Sequence, residues 1–176
     1  MNKTAVVYFP PCEETQIQEF RTRYDTSWQV IPPHITIVSP LSEISDDQLI
    51  SLVEEVALKT QVFPIRINKL IKSFDDYLLL RVTDGEEKIN ALHDTMYADA
   101  LAPYLPTEYP FEPHITLGYF RDEQDVFDQE KFDSAFAEAE AMQFDLQCMF
   151  DALTVIKGDG ISPSKMLKTI PLLRPS

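Results

Sequence analysis

Pro33-His34-Ile35-Thr36-Ile37 returns 80 residues later as Pro113-His114-Ile115-Thr116-Leu117, and this repeat decides how the chain is read. The chain has three histidines, and two of them stand in the repeat. Residues i and i+2 of a strand share a face. His34 and Thr36 therefore point one way, and Ile35 and Ile37 the other. His114 and Thr116 are parted from Ile115 and Leu117 in the same manner. Each segment offers an imidazole and a hydroxyl to one surface while its aliphatic groups anchor the strand on the opposite surface. A single copy would be ordinary, because strand histidines and threonines commonly do no more than satisfy hydrogen bonds. Two near-identical copies make a shared task the better reading.

Around the repeat the pattern alternates between strand and helix periods. Val6 to Phe9 reads as a buried strand closed by Pro10-Pro11, and Ile17, Phe20 and Tyr24 mark a helix over residues 13–25. The first motif strand is expected to end at Ser39-Pro40. Ser45-Asp46-Asp47-Gln48 is a capping-box signature, followed by Leu49, Leu52, Val53 and Val56 at helical spacing. Phe63, Ile65 and Ile67 alternate as a strand, with Tyr77 to Val82 as its partner. Asp84 is the expected cap of a helix carrying Ile89, Leu92 and Met96, ended by Pro103 and Pro106. After the second motif, Phe132, Ala135, Phe136 and Ala139 give another helix. Phe144 to Phe150 alternates as a strand that is read as running on through Leu153 to Ile156. Met166 to Leu172 is a last strand. Interspersed helices and strands with hairpins predict a single α+β layered domain over 1–176, with the two motif strands in comparable places of two pseudo-symmetric halves.

If the two motif strands lie side by side, two imidazoles and two hydroxyls face one cavity. A neutral histidine takes a proton from attacking water, and a protonated one delivers a proton to a leaving oxygen. Threonine hydroxyls donate to the non-bridging oxygens of a phosphate held between them. That set suits in-line cleavage of a phosphodiester and requires no metal or other cofactor. No H-x-x-x-H spacing argues for a metal site. His93, one turn after Ile89, is read as a packed helix residue. Tyr8, Tyr119 and Trp28 are candidates for stacking on a base.

Composition bounds the partners. A net charge of −14 repels a long nucleic acid, and no lysine- or arginine-rich run provides a track for one. A nucleotide or an RNA end remains compatible. Cys12 and Cys148 form neither a zinc-ligand pattern nor a disulfide framework. The apolar stretch before Pro10 is too short for a signal-peptide core, and no run approaches the roughly 18 apolar residues of a membrane span. The expectation is a cytoplasmic protein, a monomer, with no membrane partner.

At this point the chain resembles the 2H phosphoesterase superfamily, named for two H-h-[T/S]-h motifs in which h is hydrophobic. Here they are His34-Ile35-Thr36-Ile37 and His114-Ile115-Thr116-Leu117. The stretch Phe111 to Gly118 is especially similar to phosphoesterases related to bacterial RNA 2′-5′ ligases. The resemblance implies a bilobal, pseudo-symmetric LigT-like fold, with mainly antiparallel sheets around a central cleft and helices on the outside. It implies hydrolysis of 2′,3′-cyclic or 2′-5′ phosphodiesters of a nucleotide or RNA end without a metal, with reverse ligation open to the same site. His34 and His114 take the family's acid/base roles and Thr36 and Thr116 its phosphate-binding roles. Some relatives carry a basic residue two positions after the second motif's threonine, where this chain has Gly118 and, at the matching first-motif place, Val38. Arg121, Lys157 and Arg81 are the candidates to supply that charge, with Arg121 also a substrate-binding candidate. A non-catalytic nucleotide- or RNA-binding member of the same fold is the competing reading.

Overall fold

The computed structural model describes residues 2–12 and 15–175. In chain order the elements are β1 (Lys3–Tyr8), α1 (Gln16–Tyr24), β2 (Ile35–Leu41), α2 (Asp46–Ala57), β3 (Phe63–Lys72), β4 (Tyr77–Asp84), α3 (Glu86–Met96), β5 (His114–Tyr119), α4 (Gln129–Met142), β6 (Leu146–Phe150), β7 (Ala152–Gly158) and β8 (Lys165–Pro171). Residues 13 and 14, expected to open the first helix, lie outside the described residues. The strands form one antiparallel sheet in the order β6-β3-β4-β5-β2-β1-β7-β8. The fold is α+β, with an antiparallel sheet and interspersed helices, as expected. The run β1-α1-β2-α2 is repeated as β4-α3-β5-α4, and the two motif strands are the central neighbours of the sheet. The two halves meet where Ile35 pairs with Ile115, and among the described residues no other pair joins β2 to β5.

The sheet curls. β6 lies at one edge and β7 next to the other, yet Asp151 alone separates them in the chain. The Tyr8 hydroxyl on β1 donates to the Met149 carbonyl on β6 at 2.7 Å. One face of the sheet is buried under the helices. Leu49, Val53 and Val56 of α2 and Ile89, Leu92 and Met96 of α3 share a core with Ile35, Ile37, Ile115 and Leu117. Burying a side chain of this size stabilises by about 1.5–3 kcal/mol, so each motif strand is fixed through its aliphatic side. The capping box of α2 forms in full, with the Ser45 hydroxyl accepting from the Gln48 amide and the Gln48 side chain accepting from the Ser45 amide.

Three sequence expectations are corrected. Asp84 ends β4, and the N-cap of α3 is Gly85 at φ +80°, where a Cβ would stand 2.6 Å from the Pro64 carbonyl oxygen and 2.9 Å from Ile65 Cγ2, so only glycine fits the turn. β2 continues through Pro40, which a register irregularity leaves outside the ladder pairs. The strand read through 144–156 is two strands broken at Asp151, because the chain must pass there from one sheet edge toward the other.

Both motif strands slip register by one residue just after their threonine. Val7 pairs with Thr36 but Val6 with Val38; Leu79 pairs with Thr116 but Leu78 with Gly118. Ile37 and Leu117 are the extra residues, and such bulges reverse the facing of the residues beyond them. Val38 and Gly118 consequently face the core instead of sharing a face with the histidine. A Cβ at Gly118 would stand 2.8 Å from the Phe120 ring and 2.9 Å from Tyr24 Cβ. A basic side chain therefore has no room at this position. Gly118→Ala is expected to destabilise the fold by about 1–3 kcal/mol through overpacking, measured as a lower midpoint in urea denaturation.

Candidate active site

Antiparallel register around Ile35 and Ile115 sets His34 across from Thr116 and His114 across from Thr36. The imidazoles are diagonal neighbours, a separation of roughly 7–8 Å in a regular pair, which leaves space for a phosphate between them. Both isoleucines are fully buried, while all four polar side chains are half-buried on the opposite face. The four residues that the repeat singled out are thus brought together by one pair of strands.

Each ring is tied in the same way. His34 Nδ1 lies 2.9 Å from the Pro32 carbonyl, and His114 Nδ1 lies 2.6 Å from the Glu112 carbonyl. A carbonyl oxygen carries no hydrogen, so Nδ1 must donate and Nε2 keeps its lone pair. The proline between carbonyl and ring in each motif removes one competing amide donor at the strand entrance. Burial pushes the His34 pKa down to about 4, against the pull of the Pro32 hydrogen bond; Arg21 and His114 lower it further and Asp25 raises it. Burial also lowers His114, while the Glu112 carbonyl, the Glu112 and Asp75 carboxylates and Arg81 act on it with opposite signs. Both rings are neutral at pH 7 in the free protein. Among the described residues neither threonine hydroxyl is engaged in a hydrogen bond.

The bulge in β5 adds what strand parity alone would misplace. Tyr119 pairs with Tyr77, on the face that Leu79 and Arg81 share with Thr116 and His114. The two tyrosine rings are 4.6 Å apart. Tyr119 therefore stays a candidate for contacting substrate, joined by Tyr77, which sequence reading missed because only the register reveals it. Tyr8 does not: it pairs with Ile35, faces the core and packs 4.3 Å from the Phe150 ring. Trp28 is half-buried in the loop between α1 and β2. His93 is buried in the α3 face, its ring stacked 3.9 Å from Phe111.

The proposed sources of positive charge are all committed. Lys157 pairs with Asp46 of α2 at 2.7 Å, and Thr4, its neighbour in register, bonds the same carboxylate. Arg121, beyond the end of β5, is held by Asp76 and Asp125. Arg81 stands in register with His114, but its guanidinium is bridged to Glu86 and Glu112. The site offers hydrogen-bond donors and no free cation from these three residues. Among the described residues no group of three or more His, Cys, Asp or Glu side chains gathers as metal ligands. Among the same residues no helix is long and apolar enough to cross a membrane.

The chain belongs to the 2′-5′ RNA ligase superfamily, which it matches over residues 9–161. It is 32% identical over 125 residues to a protein of Geobacillus sp. (strain WCH70) named “Putative phosphoesterase”, the match covering 66% of this chain and 68% of that one. A protein of the same description from Staphylococcus haemolyticus (strain JCSC1435) is 31% identical over 153 residues, 83% of each chain. The fold is similar to that of TT0787 of Thermus thermophilus, with a TM-score of 0.65 at 16% identity over 97% of both chains. It is similar as well to E. coli LigT complexed with 3′-AMP, with a TM-score of 0.61 at 15% identity over 97% of this chain and 98% of that one. At those identities the likeness is one of fold.

Because His34 has a lowered pKa, the unfolded chain takes up a proton near pH 6.5 that the folded chain refuses until about pH 4. Stability is complete above pH 6.5 with respect to this group and falls as pH drops through that window. Urea denaturation at pH 7 and pH 5 is expected to show the loss, and His34→Gln to reduce it.

Proposed function

We propose that the protein is a metal-independent phosphodiesterase that hydrolyses a 2′,3′-cyclic or 2′-5′ phosphodiester of a nucleotide or RNA end, with His34 and His114 as the acid/base pair. The observation that carries this reading is the matched tethering of two imidazoles across one strand pair, each with Nε2 free and each facing a threonine hydroxyl. Mere binding of phosphate has no use for two tautomerically fixed bases in place of arginine or lysine. The relatives named “Putative phosphoesterase” support a phosphoric ester as substrate, and the 3′-AMP held by LigT supports a nucleotide as the carrier of that phosphate.

The two environments differ in a way that assigns roles. At His34 the field of the Arg21 guanidinium outweighs that of Asp25, whereas at His114 the carboxylates of Glu112 and Asp75 each outweigh Arg81. When a phosphodiester anion enters between the rings, it favours a proton on one of them, and His114 is the better acceptor. His34 then removes a proton from the attacking water, and His114 protonates the departing sugar oxygen. Thr36 and Thr116 donate to the non-bridging oxygens, and Tyr77 and Tyr119 offer aromatic surface to the base. Run backwards, the same groups form the bond.

The charge balance also selects among phosphates. A diester carries one negative charge, which a single imidazolium and two hydroxyls balance. A monoester at neutral pH carries close to two, and Arg81 is already neutralised by two glutamates. Diesters are expected to turn over with a kcat/KM at least about 100-fold above that of the corresponding monoesters, checked by phosphate-release assays on paired substrates; a monoester hydrolysed equally well would refute the site reading.

Replacing either His34 or His114 with alanine is expected to lower kcat by about 10²–10⁴-fold, with activity unchanged in chelator. Near-normal turnover in either variant would exclude the paired mechanism. The free-enzyme profile of kcat/KM needs His34 neutral and His114 protonated. It is therefore expected to be bell-shaped, its acid limb set by His34 near pH 4 and its alkaline limb by His114, which burial holds below the ordinary histidine value; the optimum of kcat is expected at higher pH because bound phosphate raises the acid's pKa.

A further inference from the structure

We infer that Arg21 and Arg81 are a pair of positioning residues, each clamping the non-repetitive segment whose carbonyl sets the tautomer of one histidine. The catalytic part of this inference rests on the phosphodiesterase reading; the structural part does not. The two acceptor carbonyls, Pro32 and Glu112, belong to neither strand nor helix. A hydrogen bond from an imidazole to such a loop is only as fixed as the loop. Each segment is held by an arginine. Arg21 Nη2 donates to the carbonyl of Ile31, the residue before Pro32, at 3.1 Å. Arg81 Nη1 lies 2.9 Å from the carboxylate of Glu112, the residue whose own carbonyl receives His114. The Val82 amide, next to Arg81, adds a bond to the Pro113 carbonyl at 3.0 Å.

The clamps are themselves anchored. Arg21 is 1% exposed, and its Nε and Nη2 both donate to one oxygen of Asp25 at 2.9 and 2.6 Å, with Nη1 on Gln18 at 3.0 Å. Asp25 in turn accepts the Ser27 amide, which starts the loop that leads to Pro32. A guanidinium buried so completely carries a large desolvation penalty, which a purely packing role does not require. Arg81 is pinned from its other side by Glu86 in the first turn of α3. Arg21 comes from a helix and Arg81 from a strand, and α1 and β4 are not equivalent in the internal repeat. Two unrelated elements therefore supply the same support, one to each ring. Arg21 also discourages an imidazolium on His34, which suits its role as base, whereas at His114 the effect of Arg81 is outweighed by Glu112 and Asp75.

Three histidines make the test direct. Long-range proton–nitrogen NMR of the imidazoles at pH 7.5 is expected to show His34 and His114 as Nδ1–H tautomers in the unaltered protein. Arg21→Lys keeps the charge but loses the fork, and is expected to mix the tautomers of His34 alone. Arg81→Met and Glu112→Ala are expected to mix those of His114 and leave His34 as it was. In each variant kcat on a 2′,3′-cyclic nucleotide is expected to fall about 10- to 100-fold with a smaller change in KM. Unchanged tautomers in the folded variants would overturn the inference. Should Arg21→Lys fail to fold, which loss of amide dispersion would reveal, the decision rests on Glu112→Ala at a partly exposed position. Tautomers that respond in a protein without phosphodiesterase activity would keep the clamps and remove the proposed function.

Discussion

The pairing of Ile35 with Ile115 is the contact on which the rest of this molecule depends. Among the described residues it is the one place where the two halves of the sheet touch through their ladder, and it lies between the two histidines in register. Burial of both isoleucines under the helices fixes the strands from behind. A one-residue slip of this pair would turn the polar side chains of one motif toward the core and its aliphatic ones toward the cleft. The hydrophobic face thus enforces the geometry of the polar one. The chemistry in the cleft is held in place by residues that never touch it.

Electrostatics in the cleft follows from a shortage. The protein carries 29 acidic against 15 basic residues, and the cations nearest the cleft are taken up by carboxylates. A site built this way cannot bind phosphate by excess charge. In the mechanism we propose, it relies instead on hydrogen-bond donors and on an imidazole that gains its proton when the substrate brings a negative charge. In the proposed function, selectivity for a singly charged diester and easy release of a more highly charged product both follow from that scarcity.

Much of the site was legible in the sequence because strands have a two-residue period. His34, Thr36, His114 and Thr116 are positioned by parity alone, and two copies of the pattern are enough to imply that they act together. The same rule failed at Val38, Gly118 and Tyr119, because a bulge adds a residue and reverses the parity beyond it. Tyr8 failed for a related reason. Its strand neighbours gave no sign of which face would be covered, and the curl of the sheet brought β6 across to bury it.

The sequence by itself determined most of the elements, though not all their boundaries, and the repeated motif, since these rest on local periodicity and on residue type; the motif's resemblance to a family pointed to a kind of chemistry. It determined as well that the chain is acidic and poor in cations. Tertiary structure alone decided that the two motifs meet at one residue pair, that Gly118 faces the core, and that Lys157, Arg121 and Arg81 are each neutralised. It also decided that Arg21 and Asp25, an ordinary-looking pair one helical turn apart, lie buried beside His34. Such facts depend on partners tens of residues away in the chain, and local pattern carries no record of which distant carboxylate or ring a side chain will meet.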